Sequence, residues 1–154
     1  MSQASLRPSL YLPGLAGLYD GLAEWSYPLM RFVVGIMAVP HGMQKMFGAF
    51  GGGGLAGTAA YFAKIGLAPQ LGYLVAAIEF FGGLCIALGF LTRPAALAFA
   101  IEMAVAALYV HLPNGYFWTK LGVEYPVMWG LLALAIAMRG GGKASVDAAI
   151  GKEF

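Results

Sequence analysis

Leu71-Gly72-Tyr73-Leu74-Val75-Ala76-Ala77-Ile78-Glu79-Phe80-Phe81-Gly82-Gly83-Leu84-Cys85-Ile86-Ala87-Leu88 reads as hydrocarbon-soluble at every position but one. A helix that crosses a bilayer needs about 20 predominantly apolar residues at 1.5 Å rise each. This stretch, extended over residues 69–90, is long enough. The exception is Glu79, near its middle. A carboxylate at that depth costs about 3 kcal/mol or more unless it is paired or protonated. The chain does this again at Glu102, and it places Arg31 inside a third apolar run. Ionisable groups at such depth make function or specific assembly the default hypothesis.

The rest of the composition agrees with a membrane protein. Of 154 residues, 60% are hydrophobic and 10% charged, against about 25% charged in a soluble domain. Mean hydropathy is +0.77. Glycine, at 23 residues, is abundant, as expected where helices approach closely in lipid. The formal charge of +2 and the lack of a basic run with interleaved aromatics argue against nucleic acid as a partner. The single cysteine, Cys85, excludes an intramolecular disulfide or a CxxC pair. The glycine runs have no strand-to-helix context, so no nucleotide fingerprint is present. Residues 1–25 contain Pro8, Pro13 and Asp20 without a continuous apolar core, which does not fit a signal peptide.

Four apolar segments are expected to cross the membrane, at roughly residues 26–47, 69–90, 93–112 and 122–138, the last being short for a full span. Pro28 suits the first turn of the first segment, and Pro40 should kink it. The very short turn at residues 89–94 makes segments two and three antiparallel neighbours, with Thr92 as an N-cap. Between segments one and two, residues 58–65 are too short to span and read as an interfacial helix with Tyr61 and Phe62 toward lipid. After Arg139, Gly140-Gly141-Gly142 ends the fourth helix, and Ser145 can cap a short helix reaching Ile150. The expected fold is all-α: an integral membrane four-helix bundle with a short interfacial helix between helices 1 and 2. Its parts are an N-terminal segment at 1–24, a membrane domain at 25–139 and a short tail at 140–154. Arg7, Arg93, Arg139, Lys143 and Lys152 fall on one side, and Lys45, Lys64 and Lys120 on the other. This excess places both termini in the cytoplasm.

The ionisable residues sort by depth into two levels. Glu79 lies roughly 15 Å and Glu102 roughly 13 Å into their helices, near the midplane. Arg31 joins them, so that an arginine between two carboxylates keeps at least one ionised. Nearer the outer side stand His41, Gln44 and Lys45 on one face of helix one, with His111 and Glu124. A histidine with carboxylate neighbours accepts and releases protons near neutral pH. Such a pair of levels can bind a polar headgroup or relay protons. The plainer readings stand beside it: a buried Arg–Glu pair that only fixes helix register, and interfacial His and Lys side chains, with Lys45 snorkelling. Two histidines without a close motif are a weak metal signal. Cys85 reads as a small packed residue.

Arg31 with Gly35, His41-Gly42-x-x-Lys45-x-x-Gly48, Glu79-x-x-Gly82-Gly83, Gly89-x-x-Thr92-Arg93, Glu124-Tyr125, and the closing Gly140 to Lys143 with Ser145 and Asp147 form a recurring pattern. In these elements the chain resembles the DoxX family of small four-helix bacterial membrane proteins, over about residues 25–150. The resemblance implies a membrane bundle similar to the small subunit of a thiosulfate:quinone oxidoreductase, or to membrane partners of oxidative-stress complexes. No haem pair, iron–sulfur ligand set or flavin motif stands in the sequence, so a redox role calls for a bound quinone or a partner subunit.

Two functional expectations follow. The first is an inner-membrane subunit of an oxidoreductase system with an intramembrane pocket for a quinone or similar lipophilic ligand, formed by Arg31, His41, Lys45, Glu79, Glu102 and Glu124. The second is a non-enzymatic scaffold that recruits a partner subunit, or a second copy, in a redox or stress-response complex. A small-solute or proton transporter is a weaker third, since four helices leave little room for a path and no inverted repeat is evident.

Overall fold

The structure is a computed structural model that describes residues 8–154. Arg7, counted above among the cytoplasmic cations, lies outside the described residues. A turn at Pro13–Leu15 leads into α1 (Ala16–Phe47), followed by α2 (Gly54–Lys64). Helix α3 (Pro69–Ala77) passes through a π-helical turn, Ile78–Gly82, into α4 (Gly83–Leu88), making one rod. Helix α5 (Thr92–Val105) continues through a second π-helical turn, Ala106–His111. Then come α6 (Glu124–Arg139) and the short α7 (Val146–Ile150). No strand occurs among the described residues.

Three rods are long and apolar enough to cross a membrane: Pro13–Phe47, Pro69–Leu88 and Thr92–Asn114. The fourth segment does not reach that length. At 16 residues, α6 is about 24 Å long and packs along α5, where a Cβ at Gly130 would lie 3.2 Å from that of Met103. Leu97, Leu108 and Leu131 face outward, as they would toward lipid, while the interior is built largely of small residues such as Ala38, Ala96 and Ala133. That is the packing expected where lipid competes with the core for apolar contact.

Glycine sets the register between α1 and the α3–α4 rod. A Cβ on Gly35 would fall 2.8 Å from Ala87 Cα, and one on Gly42 would fall 2.6 Å from Phe80 Cα. These backbones touch, and no larger residue fits. Gly83 belongs to this contact, facing the Gly35 carbonyl, whereas Gly82 meets only its own helix at Ile78. With Gly42 opposite Phe80 and Gly35 opposite Ala87, the end of α1 comes level with the middle of the second rod. The first turns of α3 run beyond it. There α2 takes over, with Gly72 against Thr58 and Phe62. Tyr61 is exposed, as expected for an interfacial helix, but Phe62 turns inward onto Gly72.

At the opposite, terminal end of the bundle, α1 begins earlier than its sequence suggested. Residues 16–26 project past Tyr27 as exposed helix, a length of about 16 Å. The boundary expected at residue 24 therefore falls inside one continuous helix. The C-terminal tail is docked against the bundle: the Asp147 amide donates to the Gly89 carbonyl at 2.9 Å, and Ser145 Oγ caps α7 by accepting from the Ala148 amide at 3.0 Å.

Candidate functional site

The register just described carries Lys45 to Glu79. Lys45 Nζ donates to Oε1 and Oε2 of Glu79 at 2.8 and 2.6 Å. Glu79 stands in the π-helical turn that joins α3 to α4. Such a turn inserts an extra residue and re-aims the side chains around it, and it recurs at functional sites. The Lys45 backbone is fixed as well, its carbonyl accepting from the Thr58 hydroxyl of α2 at 3.1 Å. Glu102, on α5, completes the cluster within hydrogen-bonding reach of the Glu79 carboxyl. Its Oε2 is buried and has no hydrogen-bond partner among the described residues. Glu79 is nearly enclosed while Lys45 keeps 29% of its side chain exposed. Four elements thus converge on one lysine and two carboxyls at mid-rod depth.

Arg31 does not belong to this cluster. Its guanidinium donates to the carbonyls of Gly141 at 3.1 Å and Ala144 at 2.7 Å, and it lies beside Gly89 at the end of the second rod. The triad of Arg31 with Glu79 and Glu102 expected from depth counting is therefore replaced by Lys45 with the same two carboxyls. The placement is set by the offset between the rods: with Gly35 against Ala87 and Gly42 against Phe80, Arg31 falls at the Gly89 end of the second rod and Lys45 falls level with Glu79.

The expected outer level also separates. His41 is exposed, and the bonds that hold the cluster join Lys45 to Glu79 without it. Glu124 accepts from the Trp118 amide at 3.0 Å, which pins the loop before α6. His111 Nδ1 lies 2.6 Å from the Leu121 carbonyl, and the Asn114 amide donates to the same oxygen at 3.3 Å. Of the six expected ligand-binding residues, the structure brings together Lys45, Glu79 and Glu102. It assigns Arg31 and Glu124 to holding loops.

A second polar centre lies at the terminal end. Asp147 is buried and accepts from the Leu91 amide at 2.8 Å, the Thr92 amide at 3.0 Å and the Thr92 hydroxyl at 2.6 Å. Burial works against the charge, but the Thr92 hydroxyl, the two amides and the nearby Arg31 outweigh it and hold the carboxyl below its ordinary value. Tyr27 donates to the Gly140 carbonyl and carries Arg139 over its ring at 4.1 Å. Arg93 donates to the carbonyls of Ala137 and Met138 at 3.2 and 2.8 Å, satisfying the last turn of α6. Asp147 was legible only as a tail residue and Thr92 only as an N-cap, whereas Thr92 is the first residue of α5 and gives its hydroxyl to Asp147. Their partnership spans 55 residues and leaves no local spacing to read.

No solved structure matches the chain. A Bacillus subtilis (strain 168) protein named "Putative oxidoreductase CatD" is 29% identical over 119 residues, spanning 77% of this chain and 82% of the relative. The sequence pattern of the DoxX family matches residues 27–112. That interval runs from Tyr27 at the terminal end through Lys45, Glu79 and Glu102, and it covers the second rod whole and most of the first and third. Matched over more than half its length, this multi-pass membrane protein belongs to the DoxX family.

Proposed function

We propose that the chain is the membrane subunit of an oxidoreductase system in a bacterial inner membrane, and that Lys45, Glu79 and Glu102 serve a quinone or similar lipophilic ligand as its polar, proton-exchanging partner. The observation that carries this reading is the buried cluster itself. One lysine faces two carboxyls, and a site of that composition is neutral when the carboxyls hold one proton between them. A quinone, when bound, couples electron transfer to proton uptake and release. Lys45, part exposed, is placed to donate a hydrogen bond to a carbonyl oxygen. The partnerless Oε2 of Glu102 is placed to accept one from a hydroxyl. Electrons would come from a partner subunit. The name of the Bacillus subtilis relative points to the same class of chemistry. Arg93, Arg139, Lys143 and Lys152 collect at the terminal end, and Lys45, engaged with Glu79, no longer counts for the other side. This supports cytoplasmic termini. The test is binding of a short-chain 1,4-benzoquinone to the purified protein and to Glu79→Gln. Weaker binding by the variant is expected, and equal binding removes Glu79 from the site.

A second reading, recruitment of a partner subunit or a second copy, is favoured by the projecting part of α1. A Cβ at Gly17 or Gly21 would meet nothing within 4 Å, and Leu18, Leu22 and Trp25 are exposed beside them. Cross-linking of Leu22→Cys in membranes identifies what this face meets. Absence of any cross-linked product removes the reading.

A further inference from the structure

At the terminal end of the bundle a cleft of about 400 Å³ opens between the last turn of α6 and the docked tail. Arg139, Lys143 and Lys152 line it, together with two carboxylates, Asp147 and Glu153. Both carboxylates are already engaged. Asp147 takes the Leu91 and Thr92 amides and the Thr92 hydroxyl. Glu153 takes the Gly141 amide at 2.8 Å and lies 3.5 Å from Arg93. The cations are not matched in the same way. Arg139 is held over the Tyr27 ring at 4.1 Å, and its N–H groups make no hydrogen bond among the described residues. The Lys152 amide donates to the Asp147 carbonyl at 3.1 Å, which fixes its backbone, while its ammonium has no ion pair among the described residues. Lys143 reaches Glu24 at 3.6 Å, with both side chains well exposed, and a pair so solvated is weak.

A fixed guanidinium flanked by two ammonium groups suits an anion with several acceptor oxygens. The planar fork of arginine bonds two phosphate oxygens at once, and lysine adds point charge. The depth of the cleft says where that phosphate comes from. The second rod ends at Leu88, α5 begins at Thr92 and α6 ends at Arg139, all at this end of the bundle. Where the rods stop, hydrocarbon gives way to headgroups. Trp25 is exposed next to Glu24, the partner of Lys143, and tryptophan marks the headgroup level. Met138 and Ile150, beside Arg139 and Gly151 in the chain, are exposed too and offer apolar surface to acyl chains.

We infer that this cleft binds the phosphodiester of an anionic phospholipid, with Arg139 and Lys152 as its ligands and Lys143, released from Glu24, as a third cation. The site is separate from the Lys45 cluster and independent of the ligand proposed there. A zwitterionic lipid brings its own cation and is the poorer occupant, because the carboxylates that could receive that cation are in use.

The experiment measures binding of short-chain phosphatidylglycerol to the purified protein in uncharged detergent by native mass spectrometry, against phosphatidylcholine of the same chain length. Circular dichroism melting confirms that each variant is folded. Wild type is expected to prefer phosphatidylglycerol. Arg139→Gln with Lys152→Gln is expected to bind it about thirtyfold more weakly, and Lys152→Gln alone, which leaves the Tyr27 contact intact, about fivefold. Lys64→Gln with Lys120→Gln removes the same charge from the opposite end and is expected to bind like wild type. Equal loss in the two double variants, or no preference for phosphatidylglycerol in wild type, overturns the site. Inorganic phosphate is the competitor, and it is expected not to displace the lipid at equal concentration. Displacement there assigns the cleft to a free anion and overturns the lipid.

Discussion

Replacing Lys45 by Met removes the cation from between two carboxyls. Breaking a fully buried ion pair costs about 3–5 kcal/mol, and breaking an exposed one costs at most about 1 kcal/mol. This pair lies between those limits, with side-chain exposures of 29% for Lys45 and 8% for Glu79. Both Glu79 oxygens lose their donor, and Glu102 remains beside them. We expect Lys45→Met to destabilise the protein by about 2–3 kcal/mol. For a chain of this length that is a fall of about 5–10 °C in Tm, read by circular dichroism in mild detergent. The companion variant, Lys45→Met with Glu79→Gln, removes both charges and leaves an amide able to bond Glu102. It should recover at least half of the loss, so the two changes couple by more than about 1 kcal/mol. A Lys45→Met protein that melts like wild type, or additive losses in the double variant, would refute the ion pair as the organising contact of the cluster.

Three further outcomes follow from the fold. Asp147 titrates lower in the folded protein than in the unfolded chain, so its stabilisation is present above the ordinary aspartate value of about 4 and is lost as pH falls below it. Asp147→Asn should flatten that acid limb in urea titrations, and release α7 to proteolysis at neutral pH. Gly35→Ala forces a Cβ to within 2.8 Å of the Ala87 Cα atom, and should separate α1 from α4 at a cost of about 3 kcal/mol or more, seen as loss of folded protein on size exclusion. Arg31→Met leaves the Gly141 and Ala144 carbonyls without their donor. It should lower Tm yet leave benzoquinone affinity unchanged when folded protein is matched, because Arg31 is not in the cluster.

Helix existence was legible from the run lengths, whereas the second rod ends at Leu88, with Gly89 at positive φ, short of the expected residue 90. The capping of α7 by Ser145 was local and legible. Glu79 and Glu102 stood out because carboxylates in apolar rods need a reason. Their partner was not legible, because it depends on how far α1 slides along the second rod. That offset is set by Gly35 and Gly42 meeting Ala87 and Phe80, contacts between residues some 40 apart or more in sequence. Depth counted along each helix from its own start does not contain that offset, and so it exchanged the roles of Arg31 and Lys45. The two π-helical turns were equally hidden. They leave no mark in composition, yet one carries Glu79 and the other carries Tyr109.

The account turns on a proton held between Glu79 and Glu102 within reach of a bound ring. Infrared difference spectroscopy on addition and reduction of a short-chain benzoquinone reads that proton directly. Wild type should show a protonated carboxyl band that shifts with the redox state of the added quinone and disappears in Glu102→Gln. A wild-type spectrum with no protonated carboxyl band, or a band unchanged by quinone and retained in Glu102→Gln, would contradict it.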